Sequence, residues 1–240
     1  MLLAATIGSM TSQIPWTELP RATFDLETTG IDPKTARIVT ASLVLVSPDG
    51  EVLRAGEWLA DPGIEIPEQA AAVHGITTEY AREHGKPAAQ VAYEVAMALG
   101  GLFADGVPVI AFNAAYDFSV MHYELARYGY PPLTCYPVLD PLVINKHVHK
   151  FKKGKRTLEV LAHEYSVELE NAHTSKDDAL AAERLLTAMS FEYEEIEQPA
   201  TALHEQQITW AAEQAAELQD YFNRIGKQAD VSGAWPVRTD

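Results

Sequence analysis

From Ala22 to Leu26 (A-T-F-D-L) apolar and polar positions alternate with a period of two, the signature of a strand. Strand side chains alternate faces, so Phe24 and Leu26 share one side while Asp25 and Glu27 share the other. Thr28-Thr29-Gly30 ends the run. Arg37 to Ser47 (R-I-V-T-A-S-L-V-L-V-S) is rich in β-branched residues and too apolar for an exposed edge. Pro48-Asp49-Gly50 turns the chain, and Glu51 to Leu59 reads as the returning strand. The pattern predicts a three-stranded antiparallel opening with Asp25 and Glu27 on its first member.

From Pro67 the period lengthens to that of helices, interrupted at Val73-His74-Gly75-Ile76-Thr77, with Thr77 or Thr78 placed to begin the next helix. Val91, Val95, Leu99, Leu102 and Phe103 form one face of a helix over Pro87 to Phe103. Val107 to Phe112 reads as a buried strand, followed by Asn113, a residue suited to capping a helix from Ala114 to Tyr128. Asp117 then falls near the first turn. A bland account of it is an acid favoured by the helix dipole; the strand-to-helix junction is also where open α/β folds place ligands. A strand over Pro137 to Asp140, a short helix over Pro141 to His147 and a helix over Thr157 to Tyr165 follow. The next helix opens in N-A-H-T-S-K-D-D-A-L, Asn171 to Leu180, and runs to about Met189. Residues five apart on a helix lie about 140° apart, so His173 and Asp178 share no helical face and His173 belongs to the loop ahead. Thr174 as cap with Asp177 leaves Asp178 to face elsewhere; Ser175 as cap would use Asp178 itself. Beyond Phe191, the positions Ile208, Ala211, Ala215, Leu218, Phe222 and Ile225 form an apolar stripe on a long helix, packed on the domain or serving as a dimer seam.

Length and composition fit this reading. The chain has 240 residues, enough for an α/β domain at 21–190, with a flexible tail at 1–20 and an acidic helical extension at 191–240. The apolar start, Met1 to Gly8, is too short for a membrane span, and no Lys or Arg precedes Arg21. No membrane partner is expected. Cys135 is the one cysteine, so no intrachain disulfide can form, in keeping with a cytoplasmic setting. The net charge of −16 weighs against nucleic acid as a partner, yet six of the 18 basic residues (Lys146, Lys150, Lys152, Lys153, Lys155, Arg156) cluster in one segment. That segment is either a solvated loop or an arm for phosphates.

Two carboxylates on one strand face repel unless a cation neutralises them or one is protonated, so Asp25 and Glu27 point to a hard divalent ion with oxygen ligands. Four stretches taken together resemble the motifs of the DEDDh-type 3′→5′ exonucleases: F-D-L-E-T-T-G at Phe24 to Gly30, V-H-G-I-T at Val73 to Thr77, N-A-A-Y-D at Asn113 to Asp117 and H-T-S-K-D-D-A at His173 to Ala179. The resemblance spans Ala22 to Met189. It implies an α/β fold of ribonuclease H type, a mixed β-sheet flanked by helices, to which the C-terminal extension is added.

It further implies Asp25, Glu27, Asp117 and Asp178 as ligands of two Mg²⁺ or Mn²⁺ ions, His173 as general base, and Thr28, Thr29, His74 and Asn113 as contacts of the terminal nucleotide. The tyrosine variant of the family carries Tyr where this chain has Thr174, which favours the histidine type. Phe112 stands where members often have His. The activity implied is removal of nucleoside 5′-monophosphates from a single-stranded 3′ end, DNA favoured over RNA, by an enzyme acting alone in repair or turnover or beside a polymerase. An RNA-trimming enzyme is the alternative within the class, and a non-catalytic metal-binding interaction module the alternative outside it.

Overall fold

The computed structural model describes residues 13–169 and 174–239. Strands β1 (Arg21–Thr28), β2 (Ile38–Val46) and β3 (Val52–Asp61) form the antiparallel opening that the alternation predicts. β4 (Lys86–Pro87), β5 (Val109–Ile110) and β6 (Val138–Leu139) are two-residue strands pairing in parallel, and the sheet order is β4-β3-β2-β1-β5-β6. The sheet is therefore mixed, with β1 inside it. Asp25 lies opposite Ser42 and Glu27 opposite Thr40, and the register slips immediately after Glu27.

Eight α-helices are present among the described residues: α1 (Glu68–His74), α2 (Thr78–His84), α3 (Ala88–Ala104), α4 (Ala114–Arg127), α5 (Pro141–Val148), α6 (Leu158–Glu164), α7 (Ser175–Glu192) and α8 (Ala200–Arg224). Where a Thr precedes a helix, the cap forms. Thr77, Thr157 and Thr174 accept from the N–H of Tyr80, Val160 and Asp177, each three residues on.

The alternation along β1 decides what packs on each side. Ala22, Phe24 and Leu26 are buried in one core with Val91, Val95 and Leu99 of α3 and Phe118, Met121 and Leu125 of α4. Each large side chain so buried contributes about 1.5–3 kcal/mol. The odd positions of β1 meet α7 through polar contacts instead. Arg21 donates from Nε at 2.8 Å to Glu183 Oε1, and Thr23 Oγ1 donates to the Ala179 carbonyl at 2.5 Å. Arg21 and Glu183 are almost fully buried, and the Arg21 guanidinium is further held by the carbonyls of Ser47 and Pro48. Ala179 and Glu183 are four residues apart and thus on one helical face.

The structure departs from expectation at both ends. The tail was expected to be flexible through residue 20; Trp16 is instead fully buried, donating from Nε1 to the Ile196 carbonyl at 2.9 Å while its backbone N–H bonds Gln198 O. Residues 1–12 lie outside the described residues.

The long helix α8 is present and packs on the domain, with only Ala211 and Ala215 of the predicted stripe turned inward. Ile208, Leu218 and Ile225 are exposed, whereas Leu203, His204, Gln207 and Ala215 are buried. The reason is the unpaired side of β6. Val138 N–H donates to His204 Nδ1 at 3.0 Å, Gln207 Nε2 donates to the Val138 carbonyl at 3.1 Å, and Asp140 N–H donates to Gln207 Oε1 at 2.7 Å. A backbone edge wants polar partners. Burial lowers the pKa of His204 and so favours the neutral ring, and the Val138 N–H takes Nδ1 as its acceptor.

Candidate active site

Three elements bring the acidic residues together. β1 carries Asp25 and Glu27 on the face toward α7, the Thr174 cap starts α7 so that Asp178 lies in its first turn, and Thr40 Oγ1 ties β2 to Ser175 Oγ at 3.2 Å. Carboxylate oxygens of Asp25, Glu27 and Asp178 lie within 4.8 Å of one another. The capping alternative, Ser175 with Asp178, is not the one adopted.

Asp117 comes from α4 on the other side of β1. It is buried, and its Oδ1 accepts the N–H of Leu26, the residue between Asp25 and Glu27, at 3.1 Å. It stands outside the closest triad of oxygens but adjoins it.

Electrostatics follow from this crowding. Burial first, then the charges of Asp117, Glu27 and Asp178, push the Asp25 carboxyl well above the ordinary range. Burial also raises Asp117 against the hydrogen bond from Leu26, and burial with the Asp178 charge lifts Glu27 from 4.5 to about 7. A cluster of acids so disfavoured as anions fits a hard divalent cation with oxygen ligands.

A stability prediction follows. Glu27 ionises less readily folded than unfolded, so the metal-free protein is unpenalised below about pH 4.5 and loses stability as pH rises through about 7. The rise corresponds to about 3 kcal/mol, reduced to about 1–2 kcal/mol by solvent at this partly exposed side chain. In chelator, Glu27→Gln is expected to melt above the parent at pH 8, with the gap closing toward pH 4.5. An equal melting difference at both pH values would contradict it.

Next to the acids is a cavity of about 800 Å³ lined by Glu27, Thr28, Thr29, Gly30, His74 and Asn113 among others. All four residues expected to touch the terminal nucleotide therefore meet in one place. Tyr116 also lines it, with its hydroxyl bonded to the Gly30 carbonyl and Thr28 Oγ1, and burial pushes its pKa up to about 12. The sequence reading did not single out Tyr116; its place directly before Asp117 was the available signal. His74 Nδ1 accepts the Ile76 N–H at 3.2 Å, leaving the proton on Nε2, and burial lowers its pKa. Phe112 packs against a separate apolar cluster that includes Ile110 and Leu139.

Two expectations need correction or bounding. Asn113 precedes α4 but makes no side-chain cap; its backbone is left-handed, at φ 59°. The basic segment is largely committed within the protein. Lys150 pairs with Glu217 and Lys152 with Glu164, both at 2.6 Å, and Arg156 donates to the carbonyls of Asn145 and His149. Lys153 and Lys155 remain exposed. His173 lies outside the described residues.

Comparison with known proteins agrees with this fold. E. coli exonuclease I in complex with a dA16 oligonucleotide superposes with a TM-score of 0.63 at 18% identity, covering 74% of this chain and 42% of that one. Exonuclease I from Methylocaldum szegediense gives a TM-score of 0.61 at 17% identity over the same shares.

Among curated relatives, DNA polymerase III PolC-type of Lacticaseibacillus paracasei is 28% identical over 169 residues, 70% of this chain and 11% of its own length. The DNA polymerase III subunit epsilon-like protein of Rhodobacter capsulatus is 31% identical over 195 residues, 75% of this chain and 26% of its own. The chain thus spans only about a tenth of the PolC-type relative and about a quarter of the epsilon-like one. No helix among the described residues is long and apolar enough to cross a membrane. The exonuclease family model matches residues 23–186, the stretch from β1 through most of α7, and the chain belongs to that exonuclease family.

Proposed function

We propose that the chain hydrolyses the terminal phosphodiester of single-stranded DNA from its 3′ end, releasing nucleoside 5′-monophosphates. The observation that carries this reading is the meeting of Asp25, Glu27 and Asp178 oxygens within 4.8 Å, beside the cavity lined by Thr28, Thr29, His74 and Asn113. DNA is favoured because the similar exonuclease I is described in complex with an oligodeoxynucleotide and the curated relatives are DNA polymerase III proteins. The same relatives leave two settings, alone in repair or turnover or beside a polymerase.

Asp25, Glu27, Asp117 and Asp178 would hold two Mg²⁺ or Mn²⁺ ions. Bound there, such ions lower the pKa of water and neutralise charge on the leaving oxygen. The remaining work belongs to the chain. Thr28, Thr29, Asn113 and His74 orient the terminal nucleotide in the cavity, neutral His74 offering Nε2–H as a donor. His173 takes the proton of the attacking water as the new P–O bond forms and the bond to the 3′ oxygen of the penultimate nucleotide breaks. Lys153 and Lys155 offer exposed charge for backbone phosphates.

The deciding experiment is a gel time course on 5′-labelled DNA and RNA oligomers of one sequence with Mg²⁺ or Mn²⁺. A ladder descending from the 3′ end, faster on DNA, is expected. A faster ladder on RNA would overturn the substrate choice, and cation binding with no ladder on either would make the site a non-catalytic module.

A further inference from the structure

We propose that Asp140 is a positioning residue for the reaction: its carboxylate, rather than the side chain of Asn113, sets where α4 begins and so where Asp117 stands. Asp140 is 1% exposed and sits just before α5, where an aspartate ordinarily caps its own helix. It does so, with Oδ1 accepting Leu142 N–H at 2.9 Å. The same carboxylate also accepts Asn113 N–H at 3.0 Å on Oδ1 and Ala114 N–H at 2.9 Å on Oδ2. One side chain thus serves the N-termini of two helices, and α4, which has no side-chain cap of its own, receives one from another element.

What α4 carries makes this matter. Asp117 lies three residues past Ala114, rigidly fixed to that first turn, and its Oδ1 must meet Leu26 N–H between Asp25 and Glu27. A small shift of the helix start is passed directly to that carboxylate. The C-terminal region holds Asp140 in turn. Gln207 of α8 accepts its backbone N–H, Trp235 Nε1 approaches Oδ2 at 3.4 Å, and Arg238 N–H donates to Ser119 Oγ on α4 itself at 2.8 Å. Residues beyond the family match therefore brace the helix that bears Asp117.

The inference rests on the proposed role of Asp117 as a cation ligand, so the test includes Asp117→Asn. Asp140→Ser retains a good cap for α5 but is too short to reach Asn113 and Ala114; Asp140→Asn keeps the shape and turns one acceptor into a donor. Val95→Ala, in the core of α3, controls for lost stability alone. Direct Mn²⁺ titration by electron paramagnetic resonance and steady-state cleavage are measured well below each melting temperature.

Both Asp140 variants are expected to weaken Mn²⁺ binding and lower kcat by about 10- to 100-fold, as loss of an outer partner of a metal ligand does. KM for the oligonucleotide should stay within about twofold, and Val95→Ala should change neither Mn²⁺ affinity nor kcat. Parental Mn²⁺ affinity and kcat in either Asp140 variant, with Asp117→Asn inactive, would overturn the inference. Full activity in Asp117→Asn would instead overturn the ligand assignment beneath it.

Discussion

Asp25→Asn is expected to leave a 5′-labelled oligonucleotide uncut, a loss well beyond the about 100-fold that removal of an outer-shell partner produces. Asn preserves the volume and the packing of β1 while removing the anion that three other carboxylates surround. The metal-free variant should also melt above the parent at neutral pH, since it no longer holds a carboxylate among like charges in a partly buried site. Loss of cleavage together with a higher melting temperature is hard to obtain by general damage. Mg²⁺-dependent cleavage at the parental rate would end the assignment of this cluster as the reaction centre.

His173→Ala is expected to lower kcat by about 100-fold or more, with Mn²⁺ binding and KM largely kept. The residue directly precedes Thr174 in sequence, whose side chain caps α7, the helix that carries Asp178. A general base acts only when unprotonated, so the parental rate should rise with pH through the range in which imidazoles titrate, and the variant should lose that inflection. A variant whose rate falls but whose pH profile keeps the same inflection would assign the proton transfer to another group.

The features legible in the sequence were local ones. Alternation placed Asp25 and Glu27 on one face of β1, three-residue spacing offered Thr174 as one of two caps, and four-residue spacing found Val91, Val95 and Leu99 in the core of α3. Polar residues that the fold buries were hidden by the same logic, because periodicity assigns polar positions to solvent. Arg21 and Glu183 meet across 162 residues, and His204 and Gln207 reach β6 across 66 and 69. Buried polar groups need partners, and only the tertiary fold says which. On α8 the buried face is likewise shifted toward His204 and Gln207, so that Ala215 of the apolar stripe is buried while Ile208 and Leu218 are exposed. At the candidate site, Asp140 was taken as the end of a strand, and nothing near it in sequence announces that it serves Asn113 and Ala114 as well.

The margins of the sheet restrict how anything else can join it. A chain that binds by β-augmentation needs a row of open backbone donors and acceptors. On the β6 side, His204 and Gln207 already occupy the N–H and carbonyl of Val138 and the N–H of Asp140. On the opposite margin β4 has only two residues, and Pro87 has no N–H to offer. The β6 margin therefore cannot template an incoming strand, whereas β4 pairs only with Ala60 and Asp61 and leaves the outer edge of β3 over residues 52–59 without a strand partner among the described residues.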